Sequence, residues 1–351
     1  MSAATTGRPG RPTTPTAQER PARRAGARLR TRRRAIILVL AVVVVVGFVL
    51  AICLGRYQLT PLEVIQAFGD RESFDHQVVV EWRMPRTIAA LAFGAALAVS
   101  GAIFQTLSRN PLGSPDIIGF STGSYTGALI VTIVLGGLVP VEFGALAGGL
   151  VTALVVYLLA FRRGIDGFRL IIVGIGVTGV LAAINVWIRL RAKAEVAMAA
   201  SVWGAGSLST VDWAHLVPAV VILALLGVAV VMLAPRLRQL ELGDDSARAH
   251  GLRVEPSRLA LVAIGVALTA VATAVTGPIA FISLAAPQIA ARLTRGPGIP
   301  LAASALLGAV LLLGADQVAQ NALPGVPVGV VTVCVGGGYL IWLLIREARR
   351  R

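Results

Sequence analysis

An all-α integral membrane protein with about ten transmembrane helices is the fold class this sequence predicts, and three observations predict it. Hydrophobic residues make up 56% of the chain, and the mean hydropathy is +0.81. Apolar runs long enough to cross a hydrocarbon core of roughly 30 Å recur from Ala35 towards the C-terminal end. The 32 Lys and Arg gather at the flanks of those runs and in the first 34 residues, which hold ten arginines. That placement makes the net charge of +15 a topology signal and not a nucleic-acid surface.

The elements follow in order. Residues 1–34 are rich in Pro, Thr, Ala and Arg without apolar periodicity, and read as a disordered basic cytoplasmic tail. Ala35 to Gly55 exceeds the apolar core of a signal peptide, about 7–15 residues, and no small-x-small cleavage site follows it. It is the first span. A polar, acidic linker from Arg56 to Trp82 leads to Arg83-Met84-Pro85-Arg86, which opens the second span. Within that span Gly94, Ala95, Ala98, Ser100, Gly101 and Ala102 are the small residues of a helix packed closely on others. Two prolines then turn the chain in Arg109-Asn110-Pro111-Leu112-Gly113-Ser114-Pro115-Asp116. The third span is Ile117 to Leu138, the fourth Val141 to Phe161 and the fifth Leu170 to Ile188. A polar, small-residue segment runs to Thr210, and Ala214 to Ala234 is the sixth span. A hydrophilic loop, Pro235 to Arg258, precedes the seventh span, Leu259 to Thr276. The eighth, Pro278 to Ala291, is short and opens at a Gly-Pro break. Ile299 to Ala319 and Val326 to Ile345 complete a transmembrane domain over 35–346, leaving a basic C-terminal tail at 347–351.

Both termini are placed in the cytoplasm. With that orientation the inner segments hold 25 of the 32 Lys and Arg. Arg189, Arg191 and Lys193 fall on the outer side of this count. Losing one span to move them would misplace both later basic loops.

Chemistry-bearing patterns are weighed next. Gly174-Ile175-Gly176-Val177-Thr178-Gly179 satisfies G-x-G-x-x-G, but it lies inside an apolar span with no strand before it, so its glycines serve close helix packing. A Walker A loop needs Gly-Lys-Ser/Thr. The only lysine, Lys193, follows Ala192, so this polypeptide carries no such ATP site. His76, His215 and His250 are scattered, no metal-ligand spacing occurs, and Cys53 and Cys334 both fall in apolar spans. Glu142, Asp116, Asp212 and Asp316 sit at or near span ends, where a proton-coupled carrier would place carboxylates deep within them. The chain has no evident energy source of its own. The 235–258 loop offers one from outside. There Asp244 or Asp245 caps a short helix and Gly251 stops it, which reads either as a solvated connector or as a docking element for a separate ATPase.

These residues carry a resemblance. The chain is similar to permease subunits of type II ABC importers for ferric siderophores, haem and vitamin B12, the FecCD-type family. The resemblance rests on Arg83-x-Pro85-Arg86, Gly94-Ala95-Ala96-Leu97-Ala98-x-Ser100-Gly101-Ala102-x-x-Gln105 and Arg109-Asn110-Pro111-Leu112-x-x-Pro115-Asp116-x-x-Gly119. It continues through Leu242-Gly243 to Gly251, Gly277-Pro278-Ile279-x-Phe281-Ile282-x-Leu284 with Pro287, Ala315-Asp316, and Pro327-Val328-Gly329-Val330-Val331-Thr332.

The resemblance implies a subunit without enzyme activity that pairs with a second permease, identical or paralogous, around a central pathway. It implies two cytoplasmic ATPase subunits that hold ATP and Mg, and an extracytoplasmic substrate-binding protein. Arg83 and Arg86 match positions that pair with glutamates of that protein. Gly243, Asp244, Asp245, Ala247, His250, Gly251 and Leu252 match the helix that couples to the ATPase. Gly119, Gly123, Gly174, Gly176, Gly277 and Pro278 are the candidates for lining the pathway. Similar permeases often have Arg where Gln320 stands, Glu where Gly325 stands, His where Gln288 stands and Pro where Gly338 stands. A ferric siderophore is the expected cargo, with haem and cobalamin as alternatives. An ion-coupled secondary transporter is the rival class.

Overall fold

Residues 19–160 and 167–348 are described by a computed structural model, and among them every regular element is a helix. Seven helices are long and apolar enough to cross a membrane: Arg28–Cys53, Phe74–Ser108, Val141–Ala160, Phe168–Arg191, Trp213–Glu241, Val254–Thr276 and Leu301–Asn321. Two shorter apolar helices, Phe120–Val134 and Val328–Trp342, and the 13-residue Ile282–Thr294 take the places of the other three expected spans.

Helix α1 (Glu19–Cys53) begins inside the stretch read as an unstructured tail, and residues 1–18 of that tail lie outside the described residues. Arg and Ala are good helix formers, so an arginine-rich lead-in extends a helix that the apolar run has already nucleated. The following linker is partly helical. In α2 (Pro61–Ala67) Thr60 and Glu63 form a reciprocal capping box, with Pro61 in the first turn. Ser73 caps α3 (Phe74–His76), which passes through a π-helical turn, Gln77–Arg83, into α4 (Met84–Ser108).

Helix α4 is the central rod. It packs against α1, α10, α12, α13 and α14, and its closest approaches are made by glycines. A Cβ on Gly94 would collide with the Gly308 carbonyl, and one on Gly101 with that of Ser283. In lipid the apolar effect does not drive helices together, so backbone proximity of this kind supplies the packing. The helix ends where Arg109 turns left-handed (φ 50°), Asn110 Oδ1 accepts from the Leu112 N–H at 2.9 Å, and Pro111 forbids continuation. Ser114 then caps α5 (Pro115–Ile118), and Gly119 at φ 97° separates α5 from α6 (Phe120–Leu129), which runs into a π-helical turn to Val134.

Helix α7 (Val141–Ala160) packs on α6 through Gly144 and Gly148 facing Gly127. Helix α8 (Gly167–Arg191) and α9 (Ala194–Gly204) follow, so the polar, small-residue segment after the fifth span is helical through Gly204. Helix α10 (Trp213–Glu241) is capped by Asp212 and does not stop at Pro235. A proline removes one hydrogen bond of the ladder, and here the turn beyond it buries Leu237 and Leu240, at 3% and 2% exposure. A short loop helix, α11 (Asp244–Ala249), precedes α12 (Val254–Thr276), α13 (Ile282–Thr294), α14 (Leu301–Asn321) and α15 (Val328–Ala348). Residues 277–281 between α12 and α13 are not helical. They run from Gly277 at φ 71° to Phe281, also left-handed at φ 70°. The basic tail expected from residue 347 is helical through Ala348, and residues 349–351 lie outside the described residues.

Candidate functional site

The bundle has two working ends. Running α4 from Arg83 to Arg109 and α10 from Asp212 to Glu241 carries the chain from one end to the other.

At the first end a cavity of about 670 Å³ opens between the end of α1, the start of α4, the 207–212 loop and the end of α14. Its polar lining includes Arg56, Glu81, Arg83, Arg86, Asp212 and Gln320. Both arginines are already engaged within the chain. The Arg83 guanidinium donates to the carbonyls of Ile52 (2.6 Å), Cys53 (3.3 Å) and Tyr57, closing the C-terminal end of α1. The Arg86 Nε and Nη2 donate to Asp316, the latter at 2.8 Å, and Gln320 donates to the other Asp316 oxygen at 2.6 Å. Asp316 is 1% exposed and Arg86 22%, so this ion pair clamps α4 to α14 just below the cavity floor. Gln320, where similar permeases often have Arg, thus completes a hydrogen-bonded triad. Beside the cavity, His215 lies 2.6 Å from Asp212 and 3.6 Å from Glu142, joining the starts of α10 and α7.

Deeper in the bundle, Asp116 accepts from the hydroxyls of Ser121 and Ser283, which ties α5 to α6 and to the start of α13. Gln105 donates to the Leu284 carbonyl at 3.0 Å and accepts from Gln288 at 2.7 Å, fixing the same helix to α4. A carboxylate near a span end is tolerated where its oxygens are satisfied in this way.

At the second end stands the loop helix α11. Gly243, at φ 108°, occupies the N-cap position that the sequence assigned to Asp244 or Asp245. Asp244 therefore starts the helix and its carboxylate turns inward. It receives Arg258 Nη2 on both oxygens at 2.8 Å and Arg109 Nη2 at 2.8 Å. Burial pushes the Asp244 carboxyl up. The Arg258 hydrogen bonds and the charges of Arg258, Arg109 and Arg248 outweigh it, and the group lies below the usual carboxylate range. Ala247, one turn on, is 1% exposed and packs with Leu237, Leu240 and Val254. Asp245, Ser246, Arg248, Ala249 and His250 face outward, and Gly251 takes the left-handed stop at φ 80° as expected. Of the seven candidate coupling residues, Asp244 and Ala247 are thus inward-facing, Gly243 and Leu252 are half-buried, and Asp245, His250 and Gly251 are exposed.

The candidate pathway residues divide similarly. Gly119 and Gly174 are buried where α5 meets α8, Gly123 is buried against Thr152 of α7, and Gly277 against the Trp203 carbonyl. Pro278 is half-buried beside Gly206, and Gly176 is the one of the six with open space around it.

A model of the FecCD transport family matches residues 42–346 of this chain. The chain belongs to the FecCD transport family. It is 50% identical over 297 residues to the ferric enterobactin transport system permease protein FepG of Escherichia coli (strain K12), covering 83% of this chain and 90% of that one. The iron(3+)-hydroxamate import system permease protein FhuG of Bacillus subtilis (strain 168) is 36% identical over 340 residues, 91% of this chain and 99% of that one. Among solved structures, an inward-facing metal-chelate type ABC transporter superposes with a TM-score of 0.79 at 26% identity, covering 89% of this chain and 99% of that chain. Membership of this family, with apolar helices repeated through the chain, makes it a multi-pass membrane protein.

Sequence reasoning missed three partners, Asp316 for Arg86, Arg258 for Asp244, and Arg109 for Asp244. The signal was present. A charged residue at the edge of an apolar run needs an opposite charge, and Arg86, Asp316 and Arg258 each sit at such an edge.

Proposed function

We propose that this chain is the transmembrane permease subunit of an ATP-driven importer of ferric siderophores, forming the translocation pathway with a second permease. The observation that carries the reading is the 50% identity with FepG across 83% of the chain. The geometry supports it from both ends: an open cavity lined in part by charged side chains at one end of the bundle, a folded loop helix with an outward face at the other, and a glycine-seamed rod, α4, between them.

In this reading both termini and α11 are cytoplasmic, and ATP and Mg are held by a dimer of separate ATPase subunits against the outward face of α11. An extracytoplasmic binding protein delivers the cargo over the cavity end. Arg83 and Arg86 lie at that docking surface, with Arg86 held by Asp316. The subunit performs no covalent chemistry. ATPase closure moves the loop helices, and the two permeases rock between outward and inward access. Gly176, on the unfilled side of α8, is the candidate with room to face the pathway, and the buried glycines let the neighbouring helices slide.

The test is uptake of radiolabelled ferric enterobactin into proteoliposomes holding this chain, its partner permease and its ATPase, with binding protein outside. ATP-dependent uptake that is lost in Asp245→Arg/Ser246→Trp, with membrane insertion intact, is the expected result. Uptake that follows a proton gradient and ignores both ATP and the variant overturns the reading in favour of a secondary transporter. ATP-dependent uptake of haem or cobalamin in place of ferric enterobactin would reassign the cargo alone.

A further inference from the structure

Asp244 stands in the loop helix among residues expected to meet an ATPase, yet its carboxylate points away from the exposed face. Two arginines from two elements converge there. Arg258, one turn into α12, is 6% exposed and reaches both carboxylate oxygens at 2.8 Å. Arg109, at the end of α4, reaches one of them at 2.8 Å and also lies 3.5 Å from the Leu240 carbonyl at the end of α10. Arg109 does this from a left-handed backbone (φ 50°), a conformation that a non-glycine residue holds only where its surroundings over-determine it. Glu241, on the last turn of α10, accepts the Ile299 N–H at 3.2 Å and so ties the same corner to the start of α14. The loop helix is too short to hold its place by its own hydrogen bonds.

We propose that Asp244 is a positioning residue for energy coupling. It joins the loop helix to α4 and α12 at once, so that displacement of α11 is passed to those two spans and not absorbed by the loop. The proposal rests on the importer reading and deepens it. Helix α4 begins at the Arg86–Asp316 clamp on the cavity, and α12 ends at Thr276, whose carbonyl accepts from the Ser207 N–H of the cavity lining, so both rods run from the Asp244 corner to the cavity end of the bundle. Arg109 and Arg258 are the receiving residues. A charge-assisted contact suits this role, because one Arg258 nitrogen reaches both carboxylate oxygens while Arg109 holds one of them, which ties the carboxylate to two spans at once.

The test uses two readouts on the wild type, Asp244→Asn and Asp244→Glu. The first is hydrogen exchange across residues 244–252 in the purified chain, which needs neither cargo nor ATPase. Asparagine at this position should speed exchange there by about tenfold, the loss expected for one hydrogen bond to a charged group. Glutamate should restore part of the protection. The second is the number of ATP hydrolysed per ferric enterobactin taken up in the reconstituted system. Asp244→Asn should keep hydrolysis near the wild-type rate while uptake falls by about tenfold, and Asp244→Glu should recover coupling. A merely structural role would lower hydrolysis and uptake together. Unchanged exchange in Asp244→Asn overturns the proposal whatever the uptake does. Faster exchange with an unchanged coupling ratio overturns it too, and leaves the importer reading standing. Failure of the wild type to take up ferric enterobactin, haem or cobalamin with ATP overturns the importer reading, and the proposal falls with it.

Discussion

Arg86 and Asp316 illustrate what a buried charge demands of its neighbours. Removing the arginine leaves a carboxylate that is 1% exposed without its counter-charge. Arg86→Met should therefore cost about 3 kcal/mol of stability. The double change Arg86→Met/Asp316→Leu should return to within about 1 kcal/mol of the native protein, because no charge is then left buried. Thermal unfolding of the three purified proteins in detergent decides it. A double variant as unstable as the single one would show that the pair is not what the site depends on. Asp244 gives a prediction in pH. Its folded carboxyl lies below the ordinary value near 4, so its ion pairs stabilise the folded form above that pH and are lost as pH falls through the lower, folded value. Wild type and Asp244→Asn should thus differ in loop-helix protection from neutral pH down to about 4, and converge below it. Convergence already at pH 6 would mean that a different group controls the loop. The residues concerned were visible in the sequence as motif members. What the sequence did not reveal was direction: Asp244 or Asp245 reads as the helix cap and Ala247 as a coupling residue, whereas Gly243 takes the cap and Asp244 and Ala247 turn inward.

Helices were legible where apolarity alone made them, and less so where packing overrode local preference. The seventh and ninth spans fall within a few residues of α12 and α14, because long apolar runs bounded by charge leave one solution in a bilayer. The sixth span is expected to end at Ala234, but buried Leu237 and Leu240 carry α10 about two further turns, to Glu241. Gly94 and Gly101 were read as close-packing residues before any partner was known, and Gly308 is the partner of the first. A matched pair of substitutions on α14 separates close contact from ordinary glycine flexibility. A Cβ at Gly308 would collide with the Gly94 carbonyl and the Ala98 side chain, whereas Gly314 has nothing within 4 Å. Gly308→Ala should destabilise by about 2 kcal/mol or more through overpacking. Gly314→Ala should be neutral or gain about 0.5–1 kcal/mol from reduced backbone freedom. Equal melting temperatures in the two variants would refute the α4–α14 seam as drawn.

For the molecule as a whole, the question is whether the short helix α13 crosses the membrane. Its 13 residues span only about 20 Å at 1.5 Å per residue, less than a hydrocarbon core of roughly 30 Å. The non-helical residues 277–281 before it supply the remainder, and irregular backbone is tolerated at that depth where protein encloses it. Gly277 and Ile279 are buried, and the Ser207 N–H satisfies the Thr276 carbonyl at 2.7 Å. The far end of α13 meets both of the other basic ends of the bundle. Arg32, just before the first apolar run, donates to the Leu293 carbonyl at 2.9 Å, and Glu241 at the end of α10 accepts from Ile299. Residues 30, 246 and 295 should accordingly share one side of the membrane, and residue 72 the other. Single cysteines at exposed Arg30, Glu72, Ser246 and Arg295, on a background with Cys53 and Cys334 both changed to Ser, test this with a membrane-impermeant maleimide. Glu72→Cys should label in intact cells, and the other three only once the cytoplasmic side is opened. From residue 72 to residue 246 the chain crosses five times and from 246 to 295 twice, so each pair checks a different part of the ten-helix count. Labelling of Arg295→Cys from outside would mean that α13 turns back within the bilayer, and the expected ten spans would fall to nine. Labelling only from inside fixes α13 as a crossing, and places the loop helix, the start of α1 and the end of α13 on one cytoplasmic surface.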